Sequence, residues 1–301
     1  MSEAQQSIMD ETCFFFDFFL IWKKLSHSIR RSIVGNQKLH ERNYRISFDK
    51  IPKKIPRIIL IYWDKPVEYA PEIVLYAVSS WKKKNPSWDV RVLSDSNVGE
   101  FVDLPPHRND RKIQWRADLI RIALLRKYGG VWVDATTFCV KPLDEWLPTL
   151  MGSGFFAYVD SYPGRAVTIS FLAAVPQNYL VAKWSRLMLR YYSKRGKLRH
   201  YFWVMYLFEY IIRTDRKACA IWEATPKLTL KGPVILKRLL TQPSLVERIP
   251  EDIDETAIPW LKISSGTKVT NQEILEAIES RRDFDLRRVA EIECQKHPSE
   301  L

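Results

Sequence analysis

Cysteine is scarce in this sequence and forms no pattern typical of a metal site or a disulfide framework. The four cysteines are Cys13, Cys139, Cys219 and Cys294. They lie far apart, form no C-x-x-C pair and have no histidine at ligand spacing, so neither a zinc site nor a set of disulfides is predicted. This usage favours a reducing cytoplasm.

Glycine and proline are also few, at 10 and 17 of 301 residues. This composition excludes a collagen-like, linker-dominated or disordered chain. With 46% hydrophobic and 27% charged residues, the chain is globular. Its length is about twice that of a usual domain, which leaves open one large α/β domain with additions or two small domains.

The N-terminal apolar cluster, residues 14–22, is too short to cross a bilayer, which takes about 20 apolar residues, and Asp17 interrupts it. Basic residues follow the cluster rather than precede it, unlike the order in a secretory signal. These residues are Lys23, Lys24, Arg30 and Arg31. Residues 13–31 therefore predict either an interfacial helix on an anionic membrane surface or a helix packed on the body of the protein.

Acidic residues are in the minority: 35 Asp and Glu stand against 47 Lys and Arg, a formal net charge of +12. Partners with negative charge are therefore expected, such as nucleic acid, lipid headgroups or phosphorylated small molecules. The basic residues are dispersed and no RNP, KH or zinc-finger signature is present, so we expect no nucleic acid partner. A basic nucleic-acid-binding protein is the rival hypothesis from another functional class.

The stretch from Ile58 to Leu93 has a βαβ pattern. Ile58–Trp63 is a short, β-branched apolar run typical of a buried strand. Apolar residues then recur at helical spacing from Pro71 to the lysines at 82–84, and Val90–Leu93 predict a second strand. Two strands joined by a helix predict a largely parallel sheet with helices on its faces.

The clearest pattern lies in residues 111–134. It predicts a helix that ends at a Gly-Gly pair, followed by a short strand that stops at Asp134. A carboxylate at the carboxyl end of a strand lies where open α/β sheets bind ligands. On the helix, Asp118 and Arg121 are three residues apart and share one face. By themselves they indicate either ligand binding or a solvated surface ion pair.

At these residues the sequence resembles a known family. The segments Ala117–Arg121 and Tyr128–Thr136 resemble the core of glycosyltransferases with a DXD sugar-binding region. Within that group, the sequence looks closest to the bacterial capsular polysaccharide synthesis proteins. The resemblance includes Ile58–Asp64 and Ala70–Val74 and covers about residues 51–270.

The resemblance implies a fold and a domain organisation. The fold is a GT-A type α/β fold, in which a Rossmann-like, mostly parallel sheet is flanked by helices, with helical additions. We expect residues 1–50 to form an N-terminal extension that carries the apolar and basic segment, residues 51–270 the glycosyltransferase domain, and residues 271–301 a helical tail.

The resemblance also implies a nucleotide-sugar site. Trp63 would lie against the base, Asp118 would hold the ribose, and Arg121 would lie near the ribose or sugar. Asp134 would be the first DXD acid, facing ribose, sugar and a divalent cation, Mn²⁺ or Mg²⁺. Such an ion would bridge the phosphates and neutralise the leaving diphosphate. The implied catalytic residues are Asp134 and Arg121.

The DXD position departs from the family pattern. Its second acid is replaced by Thr136, which leaves Asp134 as the predicted metal ligand. A hydroxyl adds no charge and binds a divalent cation less strongly than a carboxylate does, so the need for metal is open. Lys262, Ser264 and Lys268 lie on a segment that resembles the family's closing loop. They are predicted either to bind the diphosphate by charge or to form an ordinary basic loop.

The implied function is transfer of a sugar from a nucleoside-diphosphate donor to a bacterial surface polysaccharide or a lipid-linked glycan acceptor, with retention at the anomeric carbon. Front-face transfer is expected, because spacing places no second carboxylate as a nucleophile. We expect a cytoplasmic protein, or one peripheral on the inner face of the cytoplasmic membrane. Met205 stands where relatives often carry His. With Thr136, it favours the alternative of a membrane scaffold that binds nucleotide sugars with weakened turnover.

Overall fold

The computed structural model describes residues 15–20, 54–105, 112–159, 165–194, 200–234 and 258–262. The strands are β1 (Ile58–Tyr62), β2 (Asp89–Leu93), β3 (Gly130–Val133), β4 (Thr137–Cys139), β5 (Phe155–Ala157), β6 (Phe171–Ala174) and β7 (Trp260–Lys262). Residues 15–20 belong to helix α1. The other helices are α2 (Glu72–Lys84), α3 (Val98–Phe101), α4 (Ile113–Tyr128), α5 (Leu143–Trp146), α6 (Tyr179–Lys194), α7 (Trp203–Thr214) and α8 (Arg216–Glu223).

The central sheet has five strands in the order β2-β1-β3-β6-β5. β1 pairs in parallel with β2 and β3, whereas β6 is antiparallel to both β3 and β5. Four of the five strands therefore run in one direction and only β6 is reversed. The predicted α/β fold with a mostly parallel sheet is confirmed. A separate two-stranded antiparallel sheet joins β4 to β7.

Two hydrophobic cores lie on opposite faces of the sheet because side chains alternate along each strand. On one face, Leu60 and Trp132 are buried in the cluster that includes the apolar residues of α4, α6 and α7. On the other face, Ile59 and Val131 are buried with the apolar residues of α2. Each fully buried aliphatic side chain contributes about 1.5–3 kcal/mol, so burial on both faces fixes the strands firmly.

A turn at Gly129 and Gly130 connects α4 to β3, as the sequence predicts. Their φ values are +66° and +81°, a region that side chains with a Cβ atom rarely adopt. A Cβ atom on Gly130 would lie 2.5 Å from the Ile58 carbonyl oxygen. The chain reverses at this turn, so α4 runs back along β3 and its first turns lie beside the carboxyl edge of the sheet.

Helix α1 packs on the body of the protein with one side and faces solvent with the other. Phe16 and Leu20 are buried, and the Tyr191 hydroxyl donates a hydrogen bond of 2.8 Å to Asp17 Oδ1. Phe15 and Phe18 are 54% and 65% exposed. The packed helix of the sequence analysis is therefore observed for residues 15–20, and its exposed aromatic side leaves the interfacial hypothesis standing.

Within the described ranges, no helix is both long and apolar enough to span a membrane. The rest of the basic segment up to Arg31 and the predicted helical tail, residues 271–301, lie outside the described residues. The domain bounds at residues 50 and 270 stay predictions.

Candidate active site

Asp134 directly follows β3 and is held by backbone hydrogen bonds on both sides. Its amide donates to the Ser170 carbonyl at 2.9 Å, and its carbonyl accepts from the Thr137 amide at 2.9 Å. The Thr137 hydroxyl donates to the same carbonyl at 2.6 Å. The Asp134 side chain keeps 22% of its surface exposed. The fold thus fixes a solvent-accessible carboxylate at the carboxyl edge of the sheet.

Asp118 and Arg121 come from α4, and both are buried. Their side chains are 9% and 7% exposed. Arg121 Nη2 lies 3.5 Å from Asp118 Oδ1 and 3.2 Å from Asp134 Oδ1. Arg121 Nη1 donates to the Ile169 carbonyl at 2.7 Å. A solvated surface ion pair is therefore the wrong interpretation, because apolar residues surround this part of α4 and Arg121 bridges two carboxylates.

Lys262 reaches Asp134 from β7, 128 residues further along the chain. The Lys262 Nζ donates to Asp134 Oδ2 at 2.7 Å and to Thr136 Oγ1 at 2.9 Å. β7 lies beside β4, with Lys262 opposite Thr137 in the register. We refer to Asp118, Arg121, Asp134 and Lys262 as the charged quartet.

The two carboxylates of the quartet have opposite pKa shifts. Burial favours the neutral form of Asp134, but Lys262 and Arg121 outweigh it and lower the pKa of this carboxyl below its usual value. For Asp118, burial dominates; Arg121 offsets it only in part and Asp134 adds repulsion, which raises the pKa to about 7. Asp134 is thus held as a carboxylate, whereas Asp118 is poised between its two protonation states near neutral pH.

The family assignment follows from comparison with known proteins. The profile of a family described as "Capsular polysaccharide synthesis protein" matches residues 20–277. This chain belongs to that family. The predicted resemblance is confirmed, and the curated relatives are glycosyltransferases by name.

Three fungal relatives of this capsular polysaccharide synthesis family member are informative. "Glycosyltransferase afumC" of Aspergillus fumigatus is 31% identical over an alignment that covers 29% of this chain and 26% of the relative. "O-glycosyltransferase braB" of Annulohypoxylon truncatum is 26% identical, with coverage of 41% and 34%. "Initiation-specific alpha-1,6-mannosyltransferase" of Candida albicans is 25% identical, with coverage of 42% and 37%. The chain thus spans between a quarter and two fifths of these relatives' lengths.

Among solved structures, the "PaToxG Glycosyltransferase" aligns with a TM-score of 0.39 at 15% identity, covering 58% of this chain and 77% of that one. A likeness at this level carries no argument about the site. The fold assignment depends instead on the observed strand order.

The remaining predicted site residues are only partly brought together. Trp63 follows β1, is partly buried, and donates its backbone N–H to the Leu93 carbonyl at 3.0 Å. Since β1 and β3 are parallel neighbours, Trp63 lies at the same carboxyl edge of the sheet as Asp134. Ser264 and Lys268 lie outside the described residues. Their predicted roles remain untested.

Met205 is buried in α7, within the same hydrophobic cluster as its helix neighbour Trp203. It adds no titratable group to the site. Whether it alters specificity, as the departure from the family pattern predicts, remains a prediction.

Two tryptophans belong to the site although the sequence analysis assigned them no role. The Trp132 Nε1 donates to Asp134 Oδ1 at 3.1 Å, and the ring centroid lies 5.1 Å from the Arg121 guanidinium carbon. Strand periodicity could have found it, since residues two apart in β3 share a face. The Trp203 indole lies near Asp118 and offsets a small part of the rise in the pKa of that carboxyl. This second contact has no signal in local sequence.

The expected divalent cation does not fit the residues present. Asp134 Oδ2 already accepts from Lys262, and Oδ1 accepts from Trp132 beside Arg121. The Thr136 hydroxyl also accepts from Lys262. Over the described ranges, no group of three or more His, Cys, Asp or Glu side chains could hold a metal ion. Mg²⁺ and Mn²⁺ at a phosphate site usually need at least one free carboxylate oxygen from the protein, and both oxygens of Asp134 are already engaged.

Proposed function

We propose that the protein transfers a sugar from a nucleoside-diphosphate donor to a glycan or lipid-linked glycan acceptor. The observation that carries the proposal is the charged quartet at the carboxyl edge of the sheet, where α/β folds bind nucleotides. Membership of a family with glycosyltransferase relatives supports the same conclusion.

In this proposal, Asp118 binds the ribose. It is buried, and its ion pair with Arg121 at 3.5 Å is longer than a strong charge-assisted hydrogen bond. Two ribose hydroxyls would supply the donors that a buried carboxylate requires. The raised pKa of Asp118 agrees with this role, because the charged form is poorly stabilised by the protein alone.

Arg121 and Lys262 would bind the diphosphate, and Asp134 would hold both cations in place. Negative charge grows on the leaving diphosphate as its bond to the sugar breaks, and fixed cations stabilise that charge. Trp63 would stack on the base. Transfer with retention, in which the leaving phosphate oxygen takes the acceptor proton, remains our expectation from the resemblance.

The acceptor is proposed only by class. A bacterial surface polysaccharide is the expectation from the family description, yet the curated relatives reported above are fungal. One is named as an O-glycosyltransferase and another as a mannosyltransferase. Mannose donors therefore belong in the first screen, beside glucose and galactose donors.

The assay that tests the proposal incubates the full chain with a panel of nucleotide sugars and measures donor hydrolysis and transfer to oligosaccharide acceptors. We expect turnover with at least one donor, and loss of it in Asp134→Ala. Equal turnover in Asp134→Ala, or none with any donor, would contradict the catalytic assignment.

The scaffold alternative is favoured by one observation, the engagement of Thr136 and Asp134 by Lys262. A scaffold would bind nucleoside diphosphates without hydrolysis or transfer in the same assay. Only the combination of binding and turnover supports the enzyme.

We also propose that residues 13–31 bind the protein to an anionic membrane surface on the cytoplasmic side. The exposed Phe15 and Phe18 of α1 support it, and they line a shallow groove of about 420 Å³ with Phe19, Tyr210 and Thr214. The test is sedimentation with phosphatidylserine vesicles, comparing the wild type with Phe15→Ser/Phe18→Ser. Binding that is equal in both proteins would argue against this surface.

A further inference from the structure

We propose that the Lys262 ammonium takes the place of the divalent cation in the sugar-transfer site, so that the protein binds and uses its donor without metal. This inference rests on the proposed function. Lys262 would then supply the positive charge that a metal ion would otherwise supply.

The position of the ammonium carries the argument. Lys262 Nζ bridges Asp134 Oδ2 and Thr136 Oγ1, at 2.7 Å and 2.9 Å. These two residues are the first and third positions of the DXD-like motif, which are the positions whose acids would otherwise face a cation. A lysine ammonium has three N–H donors. Two are used on the motif, which leaves the third for a phosphate oxygen of the donor.

The fold holds Lys262 at this position. β7 pairs with β4 directly after the motif, and the register sets Lys262 opposite Thr137. Trp260 and Leu261 are fully buried and anchor the strand. The Lys262 backbone amide donates to the Pro233 carbonyl at 2.6 Å. The lysine therefore reaches the motif from a paired strand, with its side chain 19% exposed.

The identity of residue 136 fits the same assignment. A carboxylate there would add a second negative charge and favour a divalent ion. A threonine hydroxyl is neutral and accepts a hydrogen bond from an ammonium without adding charge. One carboxylate and one ammonium compensate each other, and Arg121, 3.2 Å from Asp134, adds a further positive charge toward a diphosphate.

The test measures two properties of the full chain, with EDTA and with added Mn²⁺ or Mg²⁺. The first is calorimetric binding of UDP and GDP; the second is turnover of the active nucleotide sugar. For the wild type we expect both to change less than about twofold between the two conditions. Loss of binding or of turnover in EDTA, restored by Mn²⁺, would overturn the inference.

Variants at the same position make the test specific. Lys262→Met should weaken diphosphate binding by about 10- to 100-fold, and Lys262→Arg should retain more of it. Lys262→Asp should bind diphosphate only when Mn²⁺ is added, because it places a second carboxylate beside Asp134. Lys82→Met, at an exposed lysine of α2, is the matched control and should behave as the wild type. Thermal melts identify any variant that fails to fold.

The outcomes separate the inference from the proposed function. If the affinity for UDP or GDP is changed neither by EDTA nor by the Lys262→Met substitution, the role of Lys262 is contradicted. Metal-independent, Lys262-dependent binding without transfer supports the role of Lys262 and contradicts the enzyme. Absence of both binding and transfer for every donor overturns the two together.

Discussion

Two aspartates, the buried Asp118 and the half-buried Asp215, are partnered in opposite ways. Asp215 caps α8: its Oδ1 accepts from the Ala218 amide at 2.8 Å, and its Oδ2 accepts from the Tyr179 hydroxyl at 2.9 Å and from Lys183. Burial alone would raise the pKa of Asp215, but these hydrogen bonds have the larger effect and lower it to about 2. Asp118 has Arg121 at 3.5 Å, and its pKa is raised to about 7.

The difference separates a carboxylate that stabilises the fold from one that we propose binds a ligand. A buried charge that is satisfied by its own protein needs no further partner. A buried charge left under-satisfied costs stability, and such groups cluster at functional sites. On this criterion Asp118 is the carboxylate that we propose binds a ligand, and Asp215 is structural.

The largest expected effect is on turnover. Asp134→Asn should lower kcat/KM by at least about 10²-fold, since it removes the charge that orients both Lys262 and Arg121. Asp215→Asn, with the same chemical change in the structural cluster, should retain kcat/KM within about twofold. Steady-state kinetics on the two variants provide the comparison. Similar losses of kcat/KM in both variants would contradict the distinction between the site and the structural cluster.

Asp118→Asn should stabilise the fold even though it damages the site. The amide resembles the protonated carboxyl, which burial favours, so the free energy of unfolding at pH 8 should rise by roughly 1–3 kcal/mol. Urea denaturation measures this change. A decrease would mean that the charged form of Asp118 is well satisfied after all.

The pH dependence of stability should differ in sign between the two aspartates. Because the pKa of Asp118 is about 7 in the fold, against an ordinary value of 3.8, its contribution to stability falls as pH rises from about 4 to 7. Asp118→Asn should remove this slope. Denaturation of the wild type and the variant at a series of pH values in this window checks it.

Asp215→Ala should destabilise the protein by about 1–2 kcal/mol, the usual cost of losing an N-cap with its hydrogen bonds. Its pKa is lowered from 3.8 to about 2, so its stabilising contribution is complete above pH 4 and is lost as pH falls toward 2. Nucleotide binding should not change. Thermal melts at pH 7 and pH 3 measure the effect, which should shrink at the lower pH.

Local sequence predicts many of the secondary-structure elements that position the site. The β1–α2–β2 unit, the helix α4 with its Gly-Gly end, and Asp134 after β3 all follow from periodicity and turn residues. The reversed strand β6 does not, because antiparallel pairing with β3 depends on tertiary contacts rather than on its own pattern.

The sequence predicts the four residues of the charged quartet, but not their geometry or the two tryptophans beside them. The burial of Asp118 and Arg121 depends on layers packed on α4, which a single helix pattern does not reveal. The pairing of Lys262 with Asp134 joins residues 128 positions apart, through a strand of three residues. The resemblance suggested Lys262 as a cation near the diphosphate; only the structure sets it between Asp134 and Thr136.

The measurement that tests the account most directly is calorimetric titration of wild type, Asp118→Asn and Asp215→Asn with UDP and GDP at pH 8. We expect Asp118→Asn to weaken the binding of the tighter-binding nucleotide by about 10-fold or more. Asp215→Asn should bind that nucleotide as the wild type does. Equal affinity in wild type and Asp118→Asn, or equal loss in the two variants, would contradict the assignment of the charged quartet as the nucleotide-sugar site.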